Sequence, residues 1–448
     1  MRMRLGKTLV AIRGANWYKP RNPKRGLAVL VLAPPTVLYT WQKELAMEME
    51  DSVCLLTGTK DERMALLGMR YKWYLLNFEG VTMRRGKRIT GPAMAAALAF
   101  QNAVAAYPWD LVLVDESVRI KNPKANVTKF VTNHFRRVPH KAILTGMPTP
   151  ESDLDVFEQL RFLDGRVLGF SNFWSFRSKC FNQILYDWHP KPSIHEKLVN
   201  YISQRAYVLQ REDVGMDQPK VREQRMLTMP TKVRKTYNTA EAEFVLEHDG
   251  KLYKTSLWQG AKYTWLRMLC GGFIKDAEGN ITQVWKGPVG ELVTLLRGEL
   301  ARERVVVWFA FNHELHACRE ALTKAGISNT WADGSVPKEE RQPRFDDFNA
   351  GKYRAILVQV KLGQYGINLS GASAVIYFSN PLDNDGREQS EDRCIDITKT
   401  TAALIIDFCV KNTVSEDIFY MLRVKAAKSG RFMRLARAIH ERRKRLGY

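Results

Sequence analysis

The run Leu111-Val112-Leu113-Val114-Asp115-Glu116-Ser117 constrains this chain more than any other stretch. Its four apolar residues read as a buried strand. Two carboxylates follow at once, so they fall at the carboxyl end of that strand, where α/β sheets place their ligands. An Asp there can hold Mg²⁺ through oxygen, and a neighbouring Glu can orient or deprotonate an attacking water. An acidic strand end is also what a solvated turn looks like. Two other features tip the balance towards a site: Gly6-Lys7-Thr8 upstream, and a second α/β run downstream.

Gly6-Lys7-Thr8 is the second half of a phosphate-binding loop of the form GxxxxGK[ST], with Met1 where the first glycine would fall. In such a loop the backbone N–H groups at a helix start cradle phosphates. The Lys reaches the terminal phosphates and the Thr hydroxyl ligates Mg²⁺. Leu9-Val10-Ala11-Ile12 opens the apolar face of the helix. The strand that supports such a loop has no counterpart before Met1, so a reading frame continuing upstream into a hydrophobic strand is expected.

Strand-like runs at 27–33, 53–56, 74–78, 111–114 and 141–144 alternate with helical ones. The first ends at Pro34-Pro35. Thr36 is a plausible N-cap for a helix through Trp41 and Leu45, and 93–106 is an Ala-rich helix. This alternation implies a parallel sheet. Residues 164–286 are richer in aromatics and charge, with helical patches at 196–204 and 231–244; His189 and His195 read there as surface residues. From Gly287 the alternation resumes, with strands at 304–309, 355–359, 374–378 and 402–408, helices at 314–325 and 337–349, and a glycine-punctuated loop at 361–369. The Lys- and Arg-dense tail 425–448 carries Phe432, Leu435 and Ile439 at helical spacing. It is either a basic helix lying on DNA or a solvated helix with one packed face.

Charge narrows the partner. There are 69 Lys and Arg against 47 Asp and Glu, a net +22. Nucleic acid is the commonest polyanion to balance such a surface, because each neutralised phosphate releases counterions. The 448 residues suffice for two or three domains. None of the six cysteines forms a CxxC pair, which argues against a zinc ribbon and for free buried thiols in a reducing compartment. No apolar run reaches membrane-spanning length, and no signal peptide is visible. A cytosolic protein, or a host-cytosolic one if phage-encoded, is the expectation.

Taken in order, the pieces resemble the Swi/Snf-type ATPases of helicase superfamily two. Leu5-Gly6-Lys7-Thr8 is similar to the end of their first motif. Leu32-Ala33-Pro34 with Trp41-Gln42-Lys43-Glu44-Leu45 is similar to the next. Asp115 to Asn122 (DESVRIKN) is the nearest match, and Leu144-Thr145-Gly146-Met147-Pro148 follows as the third motif. Arg205 to Val214 resembles the basic segment between lobes. Asp333-Gly334-Ser335 with Arg341 and Phe345, then Gly363 to Leu369, then Gln389 to Cys394, resemble motifs of the second lobe.

The resemblance implies two RecA-like parallel-sheet lobes, with ATP held between them and nucleic acid across both. The implied limits are 1–165 for the N-terminal lobe, 166–286 for a helical linker or insertion, 287–424 for the C-terminal lobe and 425–448 for the basic helix. It implies that Gly6 and Lys7 hold the terminal phosphates, that Thr8 and Asp115 hold Mg²⁺ and that Glu116 positions the attacking water. Gly366, Gln389 and Arg393 would meet the nucleotide from the second lobe. Thr36, Trp41, Thr145, Gly146, Lys361 and Asn368 would face the nucleic acid. The implied activity is ATP-driven movement along DNA, expected to be duplex and bound with weak sequence preference, with or without strand separation, either alone or within a larger assembly. Four positions depart from the family pattern: the cut first motif, Arg4 in place of Gly, Val118 in place of a His that links the acidic pair to the third motif, and Asp396 in place of a second arginine. The last leaves a degenerate DNA-binding relative as the competing expectation.

Overall fold

Short runs of branched apolar residues form the parallel strands, and the helices between them cover both faces. The computed structural model describes residues 5–82, 92–184, 187–209, 212–215, 218–243, 245–248, 251–255, 259–363, 367–394 and 401–427. Gly366, Asp396 and the basic tail from 428 onward lie outside the described residues. Two compact units divide the chain, one built on Met1–Val214 and the other on Gly215–Ala426. Both are RecA-like α/β lobes.

The first unit runs α1 (Lys7–Ala15), β1 (Val29–Ala33), α2 (Pro35–Met47), β2 (Val53–Leu55), α3 (Lys60–Gly68), β3 (Trp73–Asn77), α4 (Pro92–Ala106), β4 (Leu111–Asp115), α5 (Asn126–His134), β5 (His140–Leu144), α6 (Val156–Asp164), α7 (Phe173–Cys180), a hairpin of β6 (Phe181–Ile184) and β7 (Asp187–Pro190), and α8 (Ile194–Ser203). Its five-stranded sheet has the order β2-β3-β1-β4-β5, and every pairing in it is parallel. In β1, Leu30 and Leu32 join one apolar cluster while Val29, Val31 and Ala33 join the other, on the opposite face. Alternate side chains of one strand thus serve two cores, as the pleat requires. Each fully buried Val or Leu contributes roughly 1.5–3 kcal/mol. α2 begins at Pro35 with Pro34 as its N-cap. Thr36 is therefore inside the helix and is not its cap, because proline suits the first helical position, where its missing N–H costs nothing.

The second unit runs β8 (Lys220–Leu227), α9 (Thr231–Glu243), a hairpin of β9 (Val245–His248) and β10 (Lys251–Thr255), α10 (Gln259–Gly271), a hairpin of β11 (Phe273–Lys275) and β12 (Ile281–Gln283), α11 (Gly287–Arg297), β13 (Val305–Phe309), α12 (Asn312–Lys324), β14 (Asn329–Ala332), α13 (Lys338–Asn349), β15 (Ala355–Gln359), α14 (Val360–Gly363), β16 (Ala374–Tyr377), α15 (Asn384–Cys394) and β17 (Ala403–Val410). Its six-stranded sheet has the order β14-β15-β13-β16-β17-β8. The segment expected to be a linker is divided between the units. α7 and α8 pack into a cluster around Phe157, Phe176 and Leu198 in the first unit. β8 joins the second sheet, pairing in parallel with β17 from Lys220↔Ala403 to Leu227↔Val410. Its exposed, charged residues conceal it in the sequence, since only Leu227 of the strand is fully buried.

A buried ionic cluster fastens β8. Arg387 on α15 pairs with Asp407 of β17 through both its Nη atoms, and its Nε donates to Glu391 Oε1 at 2.8 Å. Arg222 of β8 clamps the same Glu391 at 2.8 and 2.7 Å. Burial opposes charge on Glu391, but Lys220, Arg387 and Arg222 outweigh it and hold the carboxyl well below the usual range. All six cysteines are buried and free. Among the described residues no helix is long and apolar enough to cross a membrane.

Glu314 on α12 is a different case, a fully buried carboxyl. Ser379 Oγ donates to its Oε2 at 2.5 Å, and its Oε1 has no hydrogen-bond partner. Burial pushes its pKa up to about 8, against the pull of Ser379, Arg267 and the Phe311 backbone. Below the ordinary value of 4.5 both native and unfolded chains carry this proton. Between there and about 8 the unfolded chain loses it first, so this group's contribution to stability falls as pH rises. Glu314→Gln should remove that slope. Chemical denaturation of both proteins at a series of pH values should show the parent losing stability relative to the variant from about pH 4.5 to 8.

Candidate functional site: the acidic strand end and the head of α1

β4 ends on Asp115 because its four preceding residues are all buried in the first sheet. The carboxylate itself is only 4% exposed. The indole Nε1 of Trp41, on α2, donates to Asp115 Oδ2 at 2.9 Å, and the Glu116 backbone N–H donates to Oδ1 at 2.8 Å. Both oxygens are thus fixed in direction. Burial raises the Asp115 pKa, and the adjacent Glu116 raises it further. Lys7, Trp41 and the Glu116 amide pull the other way. Glu44, one turn along α2 from Trp41, also has a raised pKa, through burial, Asp115 and Glu48. Three carboxylates therefore crowd one place with Lys7 as the cation that acts on Asp115. Such a site gains from a bound cation.

The chain turns sharply after Asp115. Glu116 adopts a left-handed backbone, φ 49° and ψ 54°. For a residue with a side chain this costs of order 1–3 kcal/mol. The conformation carries the carboxyl out of the strand direction, and Glu116 is half-buried where Asp115 is buried. Ser117 then donates through Oγ to Gln159 Oε1 on α6 at 2.7 Å. The Gln159 amide nitrogen donates to the carbonyls of Pro148 at 2.9 Å and Asp155 at 2.8 Å. Gln159 so joins the exit of β4 to the loop after β5, which holds Thr145 and Gly146. The link expected of a His at position 118 runs through this glutamine.

Gly6 caps α1 with φ +71° and ψ 27°, a conformation glycine adopts without a steric cost. The Val10 N–H donates to the Gly6 carbonyl at 3.0 Å, which closes the first turn. Lys7 Nζ is buried without a hydrogen-bond partner. A helix start with open N–H groups and a desolvated, unpaired ammonium is a receptor for an anion. Thr8 is half-buried on the following residue of α1. Among the described residues no group of three His, Cys, Asp or Glu could hold a metal by itself. Mg²⁺ requires no such group, since one or two protein oxygens together with phosphate and water complete its shell. A buried carboxylate and a helix start with a buried ammonium are together compatible with a magnesium-bound phosphate.

The other expected site residues are distributed as follows. Trp41 is fully buried and bonded to Asp115, so it does not face nucleic acid. An indole in an apolar helix still needs an acceptor for its N–H, and that was the signal in the sequence. Thr36 lies in α2, its side chain outside the described residues. Thr145 is half-buried at the end of β5, its Oγ1 accepting from the Met147 N–H at 3.1 Å, and Gly146 is buried. In the second unit, Arg393 is 9% exposed on α15 and its Nε donates to the Gly363 carbonyl at 3.0 Å. Gln389 Nε2 donates to Asp385 Oδ1 at 2.9 Å within the same helix. Lys361, in α14, and Asn368 are exposed.

Trp41→Phe keeps an aromatic side chain in its place but removes the donor to a buried carboxylate. The expected loss is roughly 1–3 kcal/mol of stability, read from the shift of the urea midpoint at constant m-value.

Residues 2–269 match the SNF2-related domain, and residues 289–398 match the helicase conserved C-terminal domain. Among curated proteins, the chain is 25% identical over 434 residues to the ATP-dependent DNA helicase DDM1 of Arabidopsis thaliana, covering 89% of this chain and 54% of that one. It is 22% identical over 426 residues to the CHD3-type chromatin-remodeling factor PICKLE of Arabidopsis thaliana, covering 88% and 30%. It is 24% identical over 456 residues to the DNA annealing helicase and endonuclease ZRANB3 of Mus musculus, covering 96% and 38%. The chain thus spans between 30% and 54% of the length of these relatives. The SNF2-related match alone covers more than half of the sequence and contains Lys7, Asp115 and Glu116; the chain belongs to the SNF2-related family of superfamily-two ATPases.

Proposed function

We propose that this protein is a DNA-stimulated ATPase that couples hydrolysis to movement along duplex DNA. The observation that carries the reading is the buried Asp115, aligned by Trp41, acted on by Lys7 at the head of α1 and followed by the displaced carboxyl of Glu116. The net charge of +22 supports a polyanionic track, and the matched relatives include proteins named as DNA helicases.

In this reading Lys7 and the α1 N–H groups bind the terminal phosphates of ATP. Thr8 and Asp115 supply protein oxygens for Mg²⁺, which would neutralise charge on the transferring phosphoryl group. Glu116 orients the attacking water. Arg393 of the second unit is assigned to the γ-phosphate, with Gly366 and Gln389 near the nucleotide. Hydrolysis of this kind is mainly positioning and charge stabilisation. The Ser117–Gln159–Pro148 connection gives the acidic strand end a route to Thr145 and Gly146. Lys361 and Asn368 remain the proposed DNA contacts of the second unit, and backbone contacts of this sort imply weak sequence preference.

Asp396 favours a second reading. An acid where an arginine would stabilise phosphate charge can cost on the order of 10³-fold in rate, leaving a protein that binds DNA and hydrolyses little ATP. Phosphate release with and without duplex DNA separates the two. Turnover that rises with DNA, and falls at least about 10²-fold in Glu116→Gln with DNA binding retained, supports the motor. Equal turnover in both proteins would remove Glu116 from its role. No turnover in either, with DNA binding intact, would establish the binding protein. In every case DNA affinity should fall steeply with salt, on the order of 10³-fold between about 50 and 200 mM for several phosphate contacts, as read by fluorescence anisotropy.

A further inference from the structure

The acidic strand end and α1 make no use of residues 172–192. These form α7 and the β6–β7 hairpin, which belong to the first unit without joining its five-stranded sheet. Their inner side is settled, with Phe176 and Phe181 buried in the cluster around Phe157 and Leu198. Their outer side is not. Asn172 caps α7 by accepting from the Trp174 N–H at 2.8 Å, and Trp174 stands on the first turn with 42% of its surface exposed. One turn on, the Arg177 guanidinium lies 4.8 Å from the Trp174 ring and 4.2 Å from the ring of Trp188. The hairpin brings Trp188 there, opposite Gln183. Lys124, from the loop before α5, places its ammonium 5.3 Å over Trp174. Two indoles and two cations from three separate stretches of chain therefore meet.

The cations of this group are unspent. Arg177 Nε is buried without a hydrogen-bond partner. Its two Nη atoms have no partner among the described residues either, and they reach solvent. Among the described residues neither Arg177 nor Lys124 forms an ion pair. Arg205 shows what a structural stack looks like: it lies over Tyr201 and also donates to Asp164 and to the Tyr201 carbonyl. Stacking on an indole fixes the plane of a guanidinium and leaves its N–H edge open, and that edge matches the oxygens of a phosphate. The sequence around it is basic too, with Arg177, Lys179 and Lys191 against Asp187 between 172 and 192.

We propose that Trp174, Arg177, Trp188 and Lys124 form a binding site for an unpaired nucleic-acid strand, with the two cations on its phosphates and a base on the exposed part of Trp174. Bases of a single strand have free faces that stack on aromatic side chains. A duplex keeps those faces inside its own stack, so it could use the cations and not the indole. An acidic peptide would likewise meet the cations without a base to lay on the ring. None of the four residues is among the ATP or duplex contacts assigned above, so the site is additional to them.

The test is fluorescence anisotropy on the full chain without nucleotide. The probes are labelled oligo(dT) of about ten residues, the matching dT·dA duplex and a poly-glutamate peptide of equal charge. Trp174→Ala should weaken oligo(dT) binding about ten-fold and duplex binding less than about two-fold, since one stacked base is lost. Trp174→Phe should restore most of the difference. Arg177→Lys keeps the charge but neither the fork nor the stack, and should weaken oligo(dT) about five-fold or more. Equal losses for oligo(dT) and duplex assign the surface to duplex backbone and overturn the proposal. Poly-glutamate that binds as tightly as oligo(dT) and weakens in the same variants assigns it to an acidic peptide and overturns it likewise. So does unchanged oligo(dT) binding in every variant. Photocrosslinking of the unaltered chain to an oligonucleotide bearing 5-iodouracil requires no variant to fold. Adducts within 172–191 are expected, and adducts confined to other segments overturn the site. No reading uses ATP hydrolysis, so an inactive ATPase leaves the result standing.

Discussion

A negative charge placed where water does not reach it is the constraint around which the first unit is arranged. Asp115 is buried at the end of an apolar strand, and a lone ionised carboxylate there would be costly. Two directed donors and one lysine reduce that cost without removing it, since the net effect still leaves the pKa raised. The remaining demand is for positive charge. The complementary defect lies on α1, where the Lys7 ammonium is buried without an acceptor. A phosphate with its metal answers both demands together, and no side chain supplied by the described fold does.

This arrangement makes the surrounding packing part of the chemistry. Trp41 fills the core beneath α2 and aims its one polar atom at Asp115. Gln159 spends three hydrogen bonds joining Ser117 to the loop that follows β5. Neither residue is placed to touch a nucleotide, yet each restricts how an adjoining loop can be set. The second unit solves a similar problem differently. There the buried acids Glu391 and Asp407 share the buried Arg387, and Arg222 and Lys220 of β8 add their charge to Glu391, so the charges are consumed by structure. In that cluster the ion pairs hold strands together, whereas Asp115 and Lys7 are left with charge that no neighbouring side chain fully answers.

Much of this was legible before any coordinates. The apolar run 27–33 contains strand Val29–Ala33, the run 111–114 supplies all but the last residue of strand Leu111–Asp115, and the acidic pair sits at the carboxyl end as the sequence implied. Residues 93–106 form a helix, Pro92–Ala106. What could not be read is equally specific. β8 has a single fully buried residue, so no alternation of apolar and polar positions announces it, and its membership of the sheet is decided by partners about 180 residues away. Trp41 was expected to face nucleic acid because its position in a motif says nothing of which side of α2 faces the core. Glu44 and Gln159 carry no local signal at all, since their significance lies in what the fold brings beside them.

The place of β8 has a consequence for how the protein is made. Leu227 must wait for Val410 before the last ladder of the second sheet can close. On a ribosome emitting the chain from its amino end, Lys220 to Leu227 stays unclaimed until β17, about 180 residues further on, has been made. Its charged, poorly apolar character then works as protection for a nascent segment with no partner, keeping it dispersed in water rather than stuck to a neighbour during the long interval before assembly.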